Sequence, residues 1–246
     1  MEQPQSYGAF DILCVPAFSD NYLWLIKGGE EVAVVDPGDG EAVLAGAERV
    51  GWTITHILNT HWHPDHTGGN LRVKDATGCQ IWGPAPEADK IPGIDRRLDE
   101  GDRIRFGGEE AEIWHIPGHT LGHIAYIFSG PNVAFVGDTI FAMGCGRVFE
   151  GTMEQMHDSL QRFAGLPDDM QLFCAHEYTL ANAKFAAHAM ADDAPIADRL
   201  AEIISSRDAG TRTVPTSVAA ERSTNPFLRA GDSGIFAKLR TAKDGF

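Results

Sequence analysis

Apolar residues come in short runs through the first two thirds of the chain, each closed by glycine, proline or aspartate. Residues 23–38, LWLIKGGEEVAVVDPG, hold two such runs about Gly28–Gly29, the pattern of a β-hairpin. EAVLAGAERVGW then has helical spacing, with Asp39 placed to cap it. Further strands are expected at 54–60 (ITHILNT), 111–118 (AEIWHIPG), 125–130 (AYIFSG), 132–138 (NVAFVGD) and 170–176 (MQLFCAH). TMEQMHDSLQRFAGL, 152–166, predicts a helix: Thr152 and Gln155 form a capping box, and Met153, Met156, Leu160 and Phe163 share a face. Strands with helices between them predict an α/β layered domain.

The pattern changes after His176. TLANAKFAAHAMADDAP and IADRLAEIISSRDAG read as helices, TRTVPTSVAAERSTNPF as an extended, proline-broken stretch, and SGIFAKLRTAKDGF as a closing helix. The expected organisation is an α/β domain over 1–178 and a small, mainly helical domain over 179–246.

Composition narrows this. A chain of 246 residues, 43% hydrophobic, can bury a core without disulfides. Cys14, Cys79, Cys145 and Cys174 are scattered with no CxxC pair and read as free thiols of a reducing compartment. MEQPQSYGAF has neither a basic start nor an apolar stretch, and no run approaches a membrane span, so a cytoplasmic protein is expected. The net charge of −15 argues against nucleic acid and anionic membrane as partners. Residues 221–246 run the other way, with Arg222, Arg229, Lys238, Arg240 and Lys243 against Glu221, Asp232 and Asp244. By charge alone this tail reads as a solvated helix; a site for a small anion is the sharper alternative.

Chemistry concentrates in THWHPDH, 60–66. Pro64 argues against a regular helix, so a loop is expected at the end of the strand 54–60. Residues two apart in extended backbone point the same way, which lets His61 and His63 grip one ion. Asp65 and His66, just beyond, can face a second. His119, Asp138 and His176 stand at three other strand ends. Five histidines and two aspartates exceed the four ligands of a closed tetrahedral site. Two ions fit if one carboxylate bridges them, and the open positions left over mean catalysis. Nitrogen and oxygen donors without thiolate suit zinc, and also iron or manganese. His56 reads as a core histidine, His157 and His188 as surface residues, and Cys145 and Cys174 as packing. His123 reads as structural, with orientation of a ligand as the alternative.

THWHPDH, GHT at 118–120, GDTIF at 137–141 and AHEYT at 175–179 together resemble the metallo-β-lactamase superfamily. VPAFSDNYLWLI, GCGRVFEGT, HEYTLANAKFA, NPFLR and LRTAKDGF are similar to one of its families, the glyoxalase II or hydroxyacylglutathione hydrolases. The resemblance implies an αββα sandwich followed by a helical C-terminal domain, and two divalent metal ions. It assigns His61, His63 and His119 to the first ion, Asp65, His66 and His176 to the second, and Asp138 to the bridge. Arg147 and Tyr178 would line a glutathione pocket, and Arg240 and Lys243, three apart on a helix, would clamp the glycine carboxylate. Phe149 departs from members that carry tyrosine there.

The reaction implied is cleavage of S-D-lactoylglutathione, from methylglyoxal detoxification, by attack of a metal-bridging hydroxide. Asp65 would orient that hydroxide. A thiolate leaving group needs no strong general acid. The rivals are a mononuclear iron persulfide dioxygenase and a lactonase on the same fold. Nothing in the sequence asks for more than a monomer.

Overall fold

In a computed structural model, residues 3–246 are described; the first two residues of the MEQPQSYGAF stretch lie outside them. The chain divides into two compact units, Met1–His115 with Gly122–Gly137, and Ile116–Leu121 with Asp138–Phe246.

The first unit opens with β1 (Gln5–Tyr7), β2 (Phe10–Ala17), β3 (Asn21–Gly28) and β4 (Glu31–Val35), an antiparallel run. The predicted hairpin is there, Gly28 pairing with Glu31 and Gly29 left-handed at φ +54°. Helix α1 (Gly40–Arg49) follows, its N-terminus capped by the Asp39 carboxylate, which accepts from the Glu41 and Ala42 amides. The chain then crosses over to β5 (His56–Leu58), and the sheet continues in parallel. The short helix α2 (Pro64–Thr67) and α3 (Asn70–Thr77) lead to β6 (Gln80–Pro84), a 3-10 turn at Ala85–Lys90, and β7 (Arg96–Leu98). Strands β8 (Arg103–Phe106), β9 (Glu109–His115), β10 (Ile124–Phe128) and β11 (Val133–Gly137) form an antiparallel meander.

Both faces of the first sheet are buried, which explains its near-continuous apolar runs. Leu13, Val15, Leu23, Leu25, Val32 and Val34 pack with Val43, Ala47 and Val73 of α1 and α3. Phe10 turns to the other face, its ring 5.7 Å from Phe106 and 5.0 Å from Phe128 of the meander. This unit is thus a helical layer on a sheet that packs face to face on a second sheet.

The second unit holds the small hairpin β12 (Ile140–Phe141) and β13 (Gly144–Cys145), then α4 (Met153–Ala164) and β14 (Gln171–Cys174). Helices α5 (Thr179–Ala189) and α6 (Ala194–Asp208) follow, then β15 (Thr216–Ser217), α7 (Val218–Thr224) and α8 (Ser233–Asp244). The capping box of α4 is formed, and Met156, Leu160 and Phe163 are buried. Met143, Ala183, Ala186, Ile196 and Ile203 make a separate core.

Three expectations need correction. THWHPDH is not loop throughout: Pro64 occupies the first helical position, where its missing N–H costs nothing, and one helical turn follows. The 211–227 stretch holds α7, started by the Ser217 side chain accepting from the Ala220 amide. His157 is buried, with Nε2 3.0 Å from the Ala230 carbonyl. Among the described residues no helix is long and apolar enough to cross a membrane. Replacing Thr152 by alanine removes one half of the capping box and should cost about 1 kcal/mol, read as a lower urea midpoint at unchanged slope.

Candidate metal centre

Parallel strands β4, β5 and β6 end on one edge of the first sheet, and polar residues collect there. Asp36 follows β4 in left-handed backbone, φ +50°, a conformation that costs a non-glycine residue about 1–2 kcal/mol. Its buried carboxylate offsets that cost. Oδ1 accepts from the Thr60 amide at 2.7 Å and Oδ2 from the Thr60 hydroxyl at 2.7 Å, so the end of β4 fixes the end of β5. Oδ2 also lies 3.1 Å from His66 Nδ1, which turns the opposite ring nitrogen, Nε2, toward Asp65.

The predicted ligands in this unit come together in pairs. His61 Nε2 and His63 Nδ1 are 3.0 Å apart, as the two-residue spacing requires. His66 Nε2 is 3.4 Å from Asp65 Oδ2, which also accepts from Asn21 Nδ2 at 3.0 Å. Asp36, His61 and His66 offer donor atoms within 4.8 Å of one another. Both Asp36 oxygens are already engaged by Thr60, so Asp36 holds His66 from behind. His123 is fully buried, and its ring stacks on His61 at 4.6 Å and 18°. It therefore sets the plane of a predicted ligand. Glu87, also buried, accepts from the Trp62 amide at 2.9 Å and from the Gly122 amide at 2.8 Å. It pins the backbone between His61 and His63.

Close approach explains the glycine of VVDPG. A Cβ on Gly38 would sit 1.8 Å from the Asp65 carbonyl oxygen, so the turn after β4 lies directly against the Asp65 backbone.

The second unit carries the other three predicted ligands. Asp138 Oδ2 is 3.4 Å from His119 Nε2 and 3.3 Å from His176 Nε2. His119 Nδ1 is 2.9 Å from the Arg147 carbonyl, the kind of outer contact that fixes a ligating ring. Tyr178 lies flat on His176, 4.7 Å between centroids and 4° between planes. Phe149, 62% exposed, packs at 5.3 Å from the His119 ring.

These separations fit a metal. Ligand atoms held at ~2.0–2.2 Å by a tetrahedral ion lie roughly 3.3–3.6 Å from one another. The pairs at 3.3 and 3.4 Å match, and the 3.0 Å His61–His63 pair is slightly tighter. No cysteine joins these donor clusters among the described residues, and burial pushes the thiols up, Cys145 to about 11 and Cys174 to about 12. All-N/O donors at these spacings make this a site for divalent metal.

The cations of the C-terminal segment gather around one carboxylate. Asp244 Oδ1 is 3.0 Å from Arg240 Nη2 and 3.5 Å from Arg147 Nε. Arg240 is only 3% exposed, and its Nη1 donates to the Cys145 carbonyl at 2.8 Å, which rules out a solvated side chain. Lys243 donates to the Ala181 carbonyl at 3.2 Å. Burial, then Arg240 and Arg147, hold its ammonium below the ordinary lysine value, against the opposing pull of Asp244. Three cations beside one carboxylate leave a surplus of positive charge.

Asp36, Thr60, Asn21 and Glu87 were not singled out from the sequence. Asp36 alone had a local signal, an aspartate at a strand end before Pro–Gly. The partners of the others are remote in the chain.

Comparison with known proteins agrees with this geometry. Residues 18–176 match the model of the metallo-beta-lactamase superfamily, and the chain belongs to that superfamily. Its fold is shared with ETHE1 from Myxococcus xanthus (TM-score 0.71, 24% identity, 94% of this chain and 89% of that one). It is shared too with the BLEG-1 B3 metallo-beta-lactamase (TM-score 0.67, 20% identity, 88% and 99%). Residues 177–246 match the hydroxyacylglutathione hydrolase C-terminus. The hydroxyacylglutathione hydrolase of Hyphomonas neptunium is 49% identical, over 94% of this chain and 96% of that protein. That of Rhodospirillum rubrum is 47% identical, over 96% and 98%. Within the superfamily the chain is a member of the hydroxyacylglutathione hydrolase family.

Asp36→Asn keeps a residue that tolerates left-handed backbone and removes the charge behind His66. Metal affinity, measured by chelator competition, should fall about 10- to 100-fold, and the unfolding midpoint of the chelated protein should fall as well, because an amide NH2 replaces one acceptor of the buried bonds to Thr60 and His66.

Proposed function

We propose that this chain is a binuclear metal hydrolase that cleaves the thioester of S-D-lactoylglutathione to D-lactate and glutathione. The observation that carries the substrate is the surplus of positive charge formed by Arg147, Arg240 and Lys243 around Asp244, in a segment matching the family's C-terminus. His61, His63 and His119 would hold one ion, and Asp65, His66 and His176 the other. Asp138 would be shared between them: its Oδ2 neighbours one residue of each set, His119 and His176. Zinc suits these donors, with iron or manganese as the alternatives. Residues 1–178 act as the catalytic module and 179–246 as the substrate-binding one, in a cytoplasmic monomer.

Bound there, the ions supply a nucleophilic water at neutral pH and polarise the thioester carbonyl. The protein's own groups do the rest. Asp65, held by Asn21, is an acceptor that orients the attacking water. Tyr178, stacked flat on His176 and exposed, would line the glutathione pocket beside that histidine. Arg240 and Lys243 face the glycine carboxylate, Lys243 by a charge-assisted hydrogen bond and buried Arg240 by its charge, while Arg147 lines the glutathione pocket beside them. The departing sulfur needs no proton from the enzyme, because a thiol of pKa ~8.5 leaves readily as thiolate.

The test is hydrolysis of S-D-lactoylglutathione by metal-replete protein, run beside the same acyl group on a thiol lacking the glycine carboxylate. The truncated substrate should show a KM higher by about 10- to 100-fold, the worth of charge-assisted bonds. Lys243→Ala should raise KM for the full substrate and leave the truncated one alone. No turnover of either would sink the proposal. Two ions per chain are expected; one iron, with oxygen consumed on glutathione persulfide, would favour a dioxygenase.

The ammonium of Lys243 binds the carboxylate only while protonated. Its lowered pKa means the proton is lost on the alkaline side before an ordinary lysine at 10.5 would titrate. KM for the glutathione thioester should therefore climb as pH rises toward that value, with the spontaneous rate subtracted. The climb should be absent for the truncated thioester and in Lys243→Ala.

A further inference from the structure

The second unit contains a buried polar network that the proposed reaction does not use. Glu221 on α7 is fully buried. Its Oε1 accepts from Arg199 Nη2 and from the Thr216 hydroxyl, each at 2.6 Å. Oε2 accepts from the Met143 amide and from Asn225 Nδ2, each at 2.8 Å. Arg199, on α6, also donates to the Ala220 carbonyl at 3.1 Å and to the Thr224 hydroxyl. Asn225 Nδ2 further donates to the carbonyls of Gly144 at 2.9 Å and Phe141 at 3.3 Å. Its Oδ1 accepts from the Phe227 amide at 3.0 Å.

Three of these bonds reach the tip of the β12–β13 hairpin, at the Met143 amide and at the carbonyls of Phe141 and Gly144; the others brace Glu221 and Asn225. Met143 there is left-handed, φ +57°, which a non-glycine side chain adopts only when its surroundings hold it. The Glu221 carboxylate on its amide and the Asn225 amide on the Phe141 and Gly144 carbonyls supply that hold, with Asn182 of α5 donating to the Ala142 carbonyl at 3.2 Å beside them. The hairpin runs straight into the site. The next carbonyl, Cys145, takes Arg240. Gly146 has so little room that a Cβ would fall 1.9 Å from the Asp138 carbonyl oxygen. The Arg147 carbonyl then meets His119 Nδ1. One short segment therefore touches the outer nitrogen of His119, the backbone of Asp138 and the buried guanidinium of Arg240.

We propose that Glu221 and Asn225 are positioning residues: they lock the 141–147 segment in the shape that orients His119 for metal and Arg240 for the anionic end of the substrate. Burial makes the device stiff. An ion pair with every lone pair used is costly to break from one side, since the remaining charge is left unpaired in the interior. The C-terminal segment, beyond supplying cations, thereby acts on the metal ligands through this hairpin.

The inference rests on His119 being a ligand and Arg240 belonging to the anion site. The test uses the full-length, zinc-loaded protein, with Asn225→Ala and Glu221→Gln as the variants. Arg222→Ala is the control. Arg222 straps α7 to the end of α4 through the Ala164 and Leu166 carbonyls and Asp168, and touches none of the hairpin. Zinc affinity by chelator competition, thermal midpoint, and KM and kcat on full and truncated thioesters are measured for each.

Asn225→Ala and Glu221→Gln should each weaken zinc by about 10-fold or more. They should also raise KM for the glutathione thioester more than for the truncated one. Arg222→Ala should lower the midpoint and leave zinc affinity unchanged. The proposal is overturned if the variants and the control lose stability alike while all bind zinc as the parent does. It is overturned too if neither variant folds, because the network would then serve folding alone. A parent protein inactive on the glutathione thioester defeats the substrate reading and leaves the zinc comparison to decide this one.

Discussion

A carboxylate in strained backbone organises the edge of the first sheet. Asp36 sits where a parallel strand ends, in a left-handed conformation, and spends both oxygens on Thr60 at the end of the next strand. The same group reaches His66 Nδ1. Backbone strain, strand register and ring orientation are thus tied by one buried anion. The turn after it packs so closely on the Asp65 carbonyl that only glycine fits at position 38. The arrangement of the candidate ligands in this unit follows from the way β4 and β5 end.

The second unit solves a related problem with a hairpin. His119, Asp138 and Arg240 are far apart in sequence, and each meets the segment 141–147. That segment is kept in place by side chains of α6 and α7 and by the asparagine after α7. Charge here runs against the protein's average. A chain of net charge −15 gathers three cations about Asp244. Burial first, and then the neighbouring arginines, depress the Lys243 ammonium there.

Periodicity located the elements whose neighbours are local. The hairpin about Gly28–Gly29, α1 with its Asp39 cap and α4 with its capping box all rest on contacts within a few residues, and all are present. The strand at 54–60 shrank to His56–Leu58, because pairing partners and not propensity set its ends. Helix α7 was hidden by the prolines on either side of it, and its start depends on the single Ser217 cap. His157 looked like a surface residue on a helix; a carbonyl some seventy positions away, at Ala230, makes it buried.

The sequence by itself determined the family motifs and the candidate donors: their residue types and their spacing in THWHPDH. Those are properties of residue identity and short-range geometry, and they survive without coordinates. What only the tertiary structure decided is the support behind each functional group. Asp36 behind His66, His123 stacked on His61, Glu87 on the Trp62 amide and Glu221 with Asn225 on the hairpin all join residues remote in the chain. Arg240 likewise passed from a surface charge to a buried one only when its partners were known. Hydrogen bonds and ring contacts act over a few ångströms of space, and one sequence cannot say which distant residues folding will bring within that reach.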